Sequence, residues 1–334
     1  MTSKRTTPVR GRPGAGPGSR RRVVSAALRW LALKLAGAAF VLWAVATLIF
    51  VGIRLIPGDP AEAILGGPGS QASAEALAAA RAEHGLDLPL TAQYAMQLER
   101  LAQGDLGQSY SLRVPVAELL AEQLPGTLLL AALAWALAWL LALGLALWST
   151  LGGRGAALVA SGLEIAAAAV PHFWLASLLV LLFSNALAWL PPVSTNTPAG
   201  LVLPVTTLAL PLAGFLGQVM RESMLTAISS PFALSARARG EREAGVLLRH
   251  GLRHAALPGI GLSGWALGSL VSGAVVVETI FARPGLGRTL LGAVTLRDVP
   301  LVTGVALASA AAYVVVMAAA DLAERIADPR LRAA

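Results

Sequence analysis

Long apolar runs recur along the chain, separated by shorter polar or charged stretches. A helix needs about 20 apolar residues to cross the hydrocarbon core of a bilayer. Six runs meet that length: 31–53, 126–148, 160–190, 201–220, 260–281 and 300–320. The third is longer than required and contains Pro171. A proline inside a span kinks it or separates an interfacial turn from the crossing helix, which places this crossing near 168–189. The pattern therefore predicts an all-α integral membrane protein with six transmembrane helices. Between the first and second runs lies the polar segment 54–124, too long for a simple hairpin. Within it, 74–84 reads as a helix and 90–103 as a second, amphipathic one. Pro57-Gly58-Asp59-Pro60 and Gly66-Gly67-Pro68-Gly69 mark turns. These elements predict a small external cap packed on the span ends. No internal repeat is visible.

Charge gives the spans a direction, because Lys and Arg are retained on the cytoplasmic side. Residues 1–30 hold eight basic residues and no acid, which puts the N-terminus in the cytoplasm. Segment 54–124 holds four Arg against nine acids and suits the outside; loop 221–258 holds six Arg against three Glu and suits the inside. The turn 149–157 carries only Arg154, and 321–334 is balanced. Loop 282–299 runs against the rest, with three Arg facing only Asp298 although six spans place it outside. Both termini are then cytoplasmic.

Composition agrees with a membrane location. Of the 334 residues, 56% are hydrophobic and 13% charged, against about 25% charged in soluble domains; mean hydropathy is +0.69. The absence of cysteine excludes disulfides, thiolate zinc sites and cysteine nucleophiles. The net charge of +8 is concentrated in a tail rather than spread on a basic face, so no nucleic-acid partner is expected. The Gly-, Pro- and Arg-rich residues 1–30 read as a disordered basic cytoplasmic tail. Ser19-Arg20-Arg21-Arg22 faintly resembles a twin-arginine export signal, but the apolar run that follows is long enough to span rather than be cleaved.

Several chemistries find no support. Phosphate-cradling loops end in Gly-Lys-Ser/Thr, and neither Lys4 nor Lys34 lies in that context. His250 and His254 share a helical face at i, i+4, but Gly251, Leu252 and Arg253 between them do not make a zinc-protease motif; they read as an interfacial basic face. Gly261-Leu262-Ser263-Gly264 matches the Gly-x-Ser-Gly of rhomboid intramembrane proteases and leaves a six-span serine protease built on Ser263 as the alternative function. Such a serine needs a histidine base, and no histidine follows His254. Gly261, Gly264, Gly268 and Gly273 are what ordinary close helix packing requires, and that reading is preferred. The charged residues Glu164, Arg221, Glu278 and Asp321 fall near span ends, where snorkelling is expected. No clustered ligands or cofactor-binding motif emerge, so no bound metal or cofactor is expected.

The stretch 231–258 is the most informative. Residues 236–239 favour helix, Gly240 can end it in a left-handed conformation, and a second basic helix is expected over about 243–256. Leu257-Pro258 would then open the next span, with proline in its first turn. Two helices around a glycine corner predict a stiff knob protruding from the membrane; a solvated loop with retained arginines is the plainer reading.

Here a resemblance becomes specific. Ala236-Arg237-Ala238-Arg239-Gly240, followed by His250, Leu252, Arg253, Ala255, Leu257 and Pro258, resembles the cytoplasmic "EAA" loop of ABC importer permeases of the dipeptide/oligopeptide/nickel family. Ile53 through Pro60, Gly85-Leu86-Asp87 with Pro89, and Gly104 through Ser109 resemble the family's first span and external segment. Pro171 with Phe173-Trp174-Leu175, Glu278-Thr279-Ile280-Phe281, Pro284-Gly285-Leu286-Gly287, Arg297-Asp298 and Asp328-Pro329-Arg330 resemble later motifs, all in order. Together they are similar to the first of the family's two permease types. The chain departs from the pattern at Pro231-Phe232, where the family has Asp-Tyr, at Arg239 for Lys, and at His254 for Asn.

The resemblance implies an ABC importer type I transmembrane domain over 31–334. Its external segment would be 54–124, and 231–258 would be the coupling loop between the fourth and fifth spans. It implies a bacterial inner-membrane complex of this chain, a second homologous permease, two ATPase subunits that hydrolyse ATP, and an extracytoplasmic substrate-binding protein, all set in lipid. Phe232, Ala236, Arg237, Ala238, Arg239, Gly240, His250, Arg253, Leu257 and Pro258 would carry the coupling, with Ala236, Ala238 and Gly240 allowing close approach. The resemblance implies a peptide as substrate, or nickel or a metal chelate. No substrate-binding residue is identified.

Overall fold

The computed structural model describes residues 17–55, 59–66, 71–195 and 197–327. Among these the chain is helical, with one isolated β-bridge between Gln108 and Pro115. Helix α1 (Pro17–Leu55) contains the first span. Short helices α2 (Pro60–Ile64), α3 (Ala74–Glu83) and α4 (Leu90–Ala102) form the cap. Helix α5 (Val116–Leu151) leads through Gly152 into α6 (Gly153–Ala169). Helix α7 (His172–Leu179) continues as a π-helical segment to Ala186. Helices α8 (Pro198–Ile228), α9 (Pro231–Ala238), α10 (Glu243–Val246), α11 (Leu252–Ile280), α12 (Leu286–Thr295) and α13 (Val299–Ala327) complete the chain.

Five helical stretches are long and apolar enough to cross a bilayer, and the pair α6–α7 makes a sixth if it counts as one bent span. This refines the expected third crossing. Val170 and Pro171 are both extended, and the two legs meet at 107° rather than forming one helix over 168–189. Proline at 171 cannot donate to the preceding turn and disfavours helical backbone at Val170. The expected turn 149–157 shrinks to Gly152–Gly153, with Gly153 at φ +74°. The disordered tail expected to residue 30 is helical from Pro17, because proline is tolerated in a first turn and the basic, alanine-rich residues after it propagate helix. Residues 1–16, Pro57, Gly58, Gly67 to Gly69 and Asp328 to Arg330 lie outside the described residues.

Helix α8 is the axis of the bundle: 61% of its span is buried, against 11% for α1. Ala131, Ala134, Ala138, Ala142 and Ala146 form a buried stripe along α5, and a stripe of methyl groups permits close helix approach. Around them pack Leu175 and Leu179 of α7, Leu208, Leu216 and Met220 of α8, and Leu270 and Val277 of α11. Prolines inside these helices free carbonyls one turn back, and serines take up two of them. Pro204 frees the Gly200 carbonyl, which accepts from Ser194 Oγ at 3.0 Å. Pro258 frees that of His254, which accepts from Ser223 Oγ at 3.0 Å.

Two buried carboxylates organise the end of the bundle that carries the cap. Glu278 is fully buried. It accepts from Thr127 Oγ1 at 2.6 Å and from the backbone N–H of Gly287 and Arg288 at 2.8 and 3.2 Å. Thr127 in turn accepts from Leu286 N. Asp298, also fully buried, starts α13 by accepting from Leu301 N. It also gathers Ser109 Oγ, Ser111 N and Ser111 Oγ at 2.6 to 3.0 Å. Nearer the opposite end, Glu164 of α6 is fully buried and accepts from Arg221 Nε of α8 at 2.9 Å. Gly214 and Gly217 leave room for this crossing, since a Cβ at either would press on Glu164. The snorkelling expected of Glu164 and Glu278 is therefore corrected: both are internal, neutralised by an arginine or by oriented amides. Asp321 pairs with Lys34, tying α13 to α1.

The cap rests on α1 through Tyr94, whose hydroxyl is 2.7 Å from Thr47 Oγ1, and through Arg54, which donates to Gln93 Oε1 at 2.6 Å. Helix α12 was not expected; Pro284-Gly285 punctuates the sequence and hides the turn that starts it. Two of the three anomalous arginines on this loop are bonded locally: Arg283 donates to Ser194 Oγ and Arg288 to the Ala282 carbonyl.

Candidate functional site

The knob expected over 231–258 is built from two helical pieces around a tight corner. Pro231 occupies the first turn of α9. At the other end Gly240 adopts φ +85°, a region glycine enters without strain. Glu241 N–H donates to the Ala236 carbonyl at 3.2 Å and Gly240 N–H to that of Arg237 at 2.9 Å. This pair of bonds is the Schellman closure of a helix C-terminus. Helix α10 then folds back so that Ala233, Ala236 and Val246 bury one another. Arg237 Nη2 lies 3.4 Å from Glu243 Oε1, and Arg249 Nη1 lies 3.6 Å from Glu241 Oε1.

The second helix differs from the expectation. Residues 243–256 do not stop before a span that Pro258 opens. A π-helical turn, Leu247–Gly251, joins α10 directly to α11, and Pro258 lies inside α11. The Ser223 bond to the freed His254 carbonyl permits this. The π turn contains His250, so the i, i+4 register with His254 is not that of a regular α-helix. Leu247 is buried in the main core. A Cβ on Gly251 would sit 3.2 to 3.6 Å from Leu247, Met224 and Ile228, so the returning helix closely approaches the end of α8.

The expected coupling residues divide accordingly. Phe232, Ala238, Arg239, Gly240 and Arg253 are exposed, and Arg237 is partly so. Ala236 is fully buried; its methyl group holds the knob together and is not available for contact with a partner, because α10 covers it. Leu257 and Pro258 are half-buried within α11. Leu234 and Leu248, which were not singled out, are exposed on the same unit at 59% and 54%. They were missed because leucines scattered through an arginine-rich stretch carry no clear periodic signal. Two positions that depart from the family pattern touch each other: the Phe232 and His254 rings stack with centroids 4.9 Å apart and planes 20° apart, joining α9 to α11.

Ser263 is 7% exposed. Its hydroxyl donates to the Gly259 carbonyl at 2.8 Å and accepts from Trp139 Nε1 at 3.3 Å. Neither partner is a base, and the geometry does not activate a nucleophile.

Residues 138–333 match the family described as binding-protein-dependent transport system inner membrane component, and 27–131 match its N-terminal companion. A peptide transport system permease protein, as it is named, from Brucella abortus (strain 2308) is 37% identical over 304 residues, covering 86% of this chain and 94% of its own. The glutathione transport system permease protein of Salmonella paratyphi A (strain ATCC 9150 / SARB42) is 33% identical, covering 91% of this chain and 99% of its own. A solved amino acid ABC transporter with histidines aligns with 63% of this chain and 94% of its own at a TM-score of 0.49 and 20% identity.

Proposed function

The chain belongs to the family of binding-protein-dependent transport system inner membrane components, and from that premise we propose that it forms half of an ATP-driven import pathway for peptides. An inner-membrane permease of this family works with ATPase and substrate-binding components. In this reading the other half is a second homologous permease, and two separate ATPase subunits bind and hydrolyse the ATP. The cap faces the binding protein outside the cell, and both termini are cytoplasmic. The peptide assignment draws on relatives named for peptide and glutathione transport.

The observation that carries the coupling mechanism is the knob's mechanical continuity with the core. Helix α9 follows α8 after only Ser229 and Ser230, while α10 runs through the π turn into α11. A push on exposed Phe232, Leu234 and Arg239 is therefore delivered to two of the most central helices. ATP-driven closure of the ATPase pair would move α8 and α11 as rigid elements and open the pathway outward; hydrolysis would reset it. Arg239 and Arg253 would pair with acids on the ATPase or with lipid phosphates.

Co-purification of the assembled complex from the native cells tests this. The wild-type chain should bring down a second permease and an ATPase whose hydrolysis rises with loaded binding protein. The triple variant Arg237→Ala/Arg239→Ala/Gly240→Pro should still assemble but lose that stimulation and the coupled uptake. Unchanged transport in the triple variant would remove the coupling role from this loop.

A further inference from the structure

A groove of 990 Å³ runs between α1, α7, α11, α12 and α13, with Thr127 of α5 at its wall, at the upper end of the size range of ligand pockets. Most of its wall is apolar, but besides the Trp265 indole and the hydroxyls of Thr127 and Ser269, which are bonded to Glu278 and the Ala266 carbonyl, four side chains bring polar atoms to it: His172 on α7, Ser272 on α11, and Ser309 and Tyr313 on α13. None of these four has a hydrogen-bond or ion-pair partner among the described residues. Several other span hydroxyls are committed one turn back, Thr206 to Val202, Thr207 to Leu203 and Thr279 to Val275, each at 2.7 Å, while Ser184 and Thr303, buried outside the groove, also lack a partner. Gly273 helps to make the space, since a Cβ there would stand 2.9 Å from Leu208 and 3.4 Å from His172 Nε2.

The depth of these groups gives them meaning. At a rise of about 1.5 Å per residue, Ser309 and Tyr313 lie roughly 15 and 20 Å along α13 from Val299, within a hydrocarbon core about 30 Å thick. Ser272 lies roughly 12 Å below Ile280 on α11. Unpaired imidazole, phenol and hydroxyl groups facing acyl chains at that depth are strongly disfavoured. A groove lined by them is one that holds water or a polar solute. No carboxylate, ammonium or guanidinium lines it, and Glu278 nearby is already used by Thr127 and two backbone amides. The wall thus offers neutral donors and acceptors without a fixed charge. Peptide groups present one donor and one acceptor per residue and match such a wall. A bare divalent transition metal, which takes several N, O or S donors, does not.

Resting on the importer reading above, the geometry points to this groove as the chain's share of the solute path. His172, Ser272, Ser309 and Tyr313 hydrogen-bond the backbone of a peptide as it passes. Weak, uncharged contacts suit a path that must release what it receives, and they leave side-chain selection to the binding protein.

The chain has no cysteine, so single replacements report without background from it. Ser272→Cys and Ser309→Cys, with Leu140→Cys on the exposed face of α5 as control, are assembled with the partner subunits in nanodiscs. They are treated with a charged, water-soluble thiol reagent, with and without a mixture of alanine di- to hexapeptides presented by the binding protein. The groove variants should react at least tenfold faster than L140C, and peptide with ATP should slow them severalfold. Rates equal to L140C would show the groove filled by lipid or by a helix of the second permease and overturn the assignment. Rapid labelling indifferent to peptide, in a complex that takes the peptide up, would overturn it as well. A wild-type complex whose ATPase responds to its binding protein but which takes up no peptide would instead overturn the peptide reading of the proposed function, and the peptide assignment of the groove with it.

Discussion

The cap side of the span bundle and the knob on its loop side are held in opposite ways. At the cap side, Glu278 and Asp298 are fully buried and collect amides and hydroxyls from α5, α12, α13 and the 109–111 turn. At the loop side, the knob has a core of only Ala233, Ala236 and Val246. Its ion pairs span 3.4 and 3.6 Å, with Glu243 and Arg249 side chains about 80% exposed. Buried charge-assisted networks are costly to break, whereas exposed pairs contribute little. The cap side is thus built to stay in one arrangement, while the knob presents a surface that a partner can complete. Its stiffness comes from backbone closure and continuity with α8 and α11 rather than from its own packing.

The comparison predicts that the same class of mutation has very different consequences at the two ends. The largest effect belongs to Glu278→Ala, which strands the Gly287 and Arg288 amides and the Thr127 hydroxyl. Hydrogen bonds to a charged group contribute about 1.5–3 kcal/mol each and are not additive, so a loss of about 4 kcal/mol is expected. It would be seen as a large fall in the detergent melting temperature and in the yield of folded protein. Gly285→Ala should approach this from the other side, because a Cβ at 285 would overlap the Glu278 carboxylate. Gly285 has extended backbone, so the demand is for space and not for conformation. A melting temperature within about 2 °C of wild type for both variants would break the contrast.

Asp298→Ala should come next, at about 2–3 kcal/mol, through the loss of Ser109, Ser111 and the start of α13. A read-out specific to this residue is faster amide exchange in 107–115. At the loop side, Phe232→Ala removes a ring stack that contributes about 0.5–1.5 kcal/mol. It should leave the melting temperature of the isolated chain nearly unchanged while lowering binding-protein-stimulated ATPase severalfold in the complex. Gly240→Ala carries a left-handed penalty of about 1 kcal/mol and should behave in the same way. If either variant lowered stability as much as Asp298→Ala, the knob would be part of the structural core and not a completed-on-contact surface.

How much of this was legible in the sequence depended on the range of the interaction. Gly240 announced its own corner, because a helix C-terminus closes within six residues, and the apolar runs announced the spans. The fates of Glu164 and Glu278 were hidden. Their partners, Arg221 and Thr127, are 57 and 151 residues away, and position near a span end reads as snorkelling when no partner is known. Helix α12 was hidden by Pro284-Gly285, and the continuity through Pro258 by Ser223, 31 residues upstream of the His254 carbonyl whose missing bond it repairs. The groove was hidden for the same reason: His172, Ser272 and Ser309 lie on three different helices, and only the packing of α7, α11 and α13 brings them to one wall. Ala236 shows the converse error. Small residues in the knob suggested close approach by a partner, but the methyl group of Ala236 serves the knob's own fold.

The smallest expected effect sharpens the comparison, because it places a partly exposed carboxylate on the same side as the fully buried ones. Asp59 pairs with Arg81 and accepts from Ala61 N–H at 2.9 Å, linking α2 to α3. Burial pushes its carboxyl up, but the Arg81 hydrogen bond, the Ala61 amide and the Arg81 charge together hold it below the ordinary carboxylate value. A folded-state pKa lower than the unfolded one contributes stability that is present above the unfolded value, about 3.9. That stability is lost as pH falls through the lower folded value. Amide exchange across 59–66 and 71–84 should therefore be flat from pH 8 to about 5 and rise below about 4, and added salt should weaken the link even at pH 7. Arg81→Ala should remove the salt dependence and weaken the pH dependence, leaving the part due to the Ala61 amide, with the melting temperature of the bundle unchanged, since neither partner belongs to the buried clusters. If Arg81→Ala instead destabilised the bundle as Asp298→Ala is expected to, then position on the cap side rather than burial of the carboxylate would set the strength of these links.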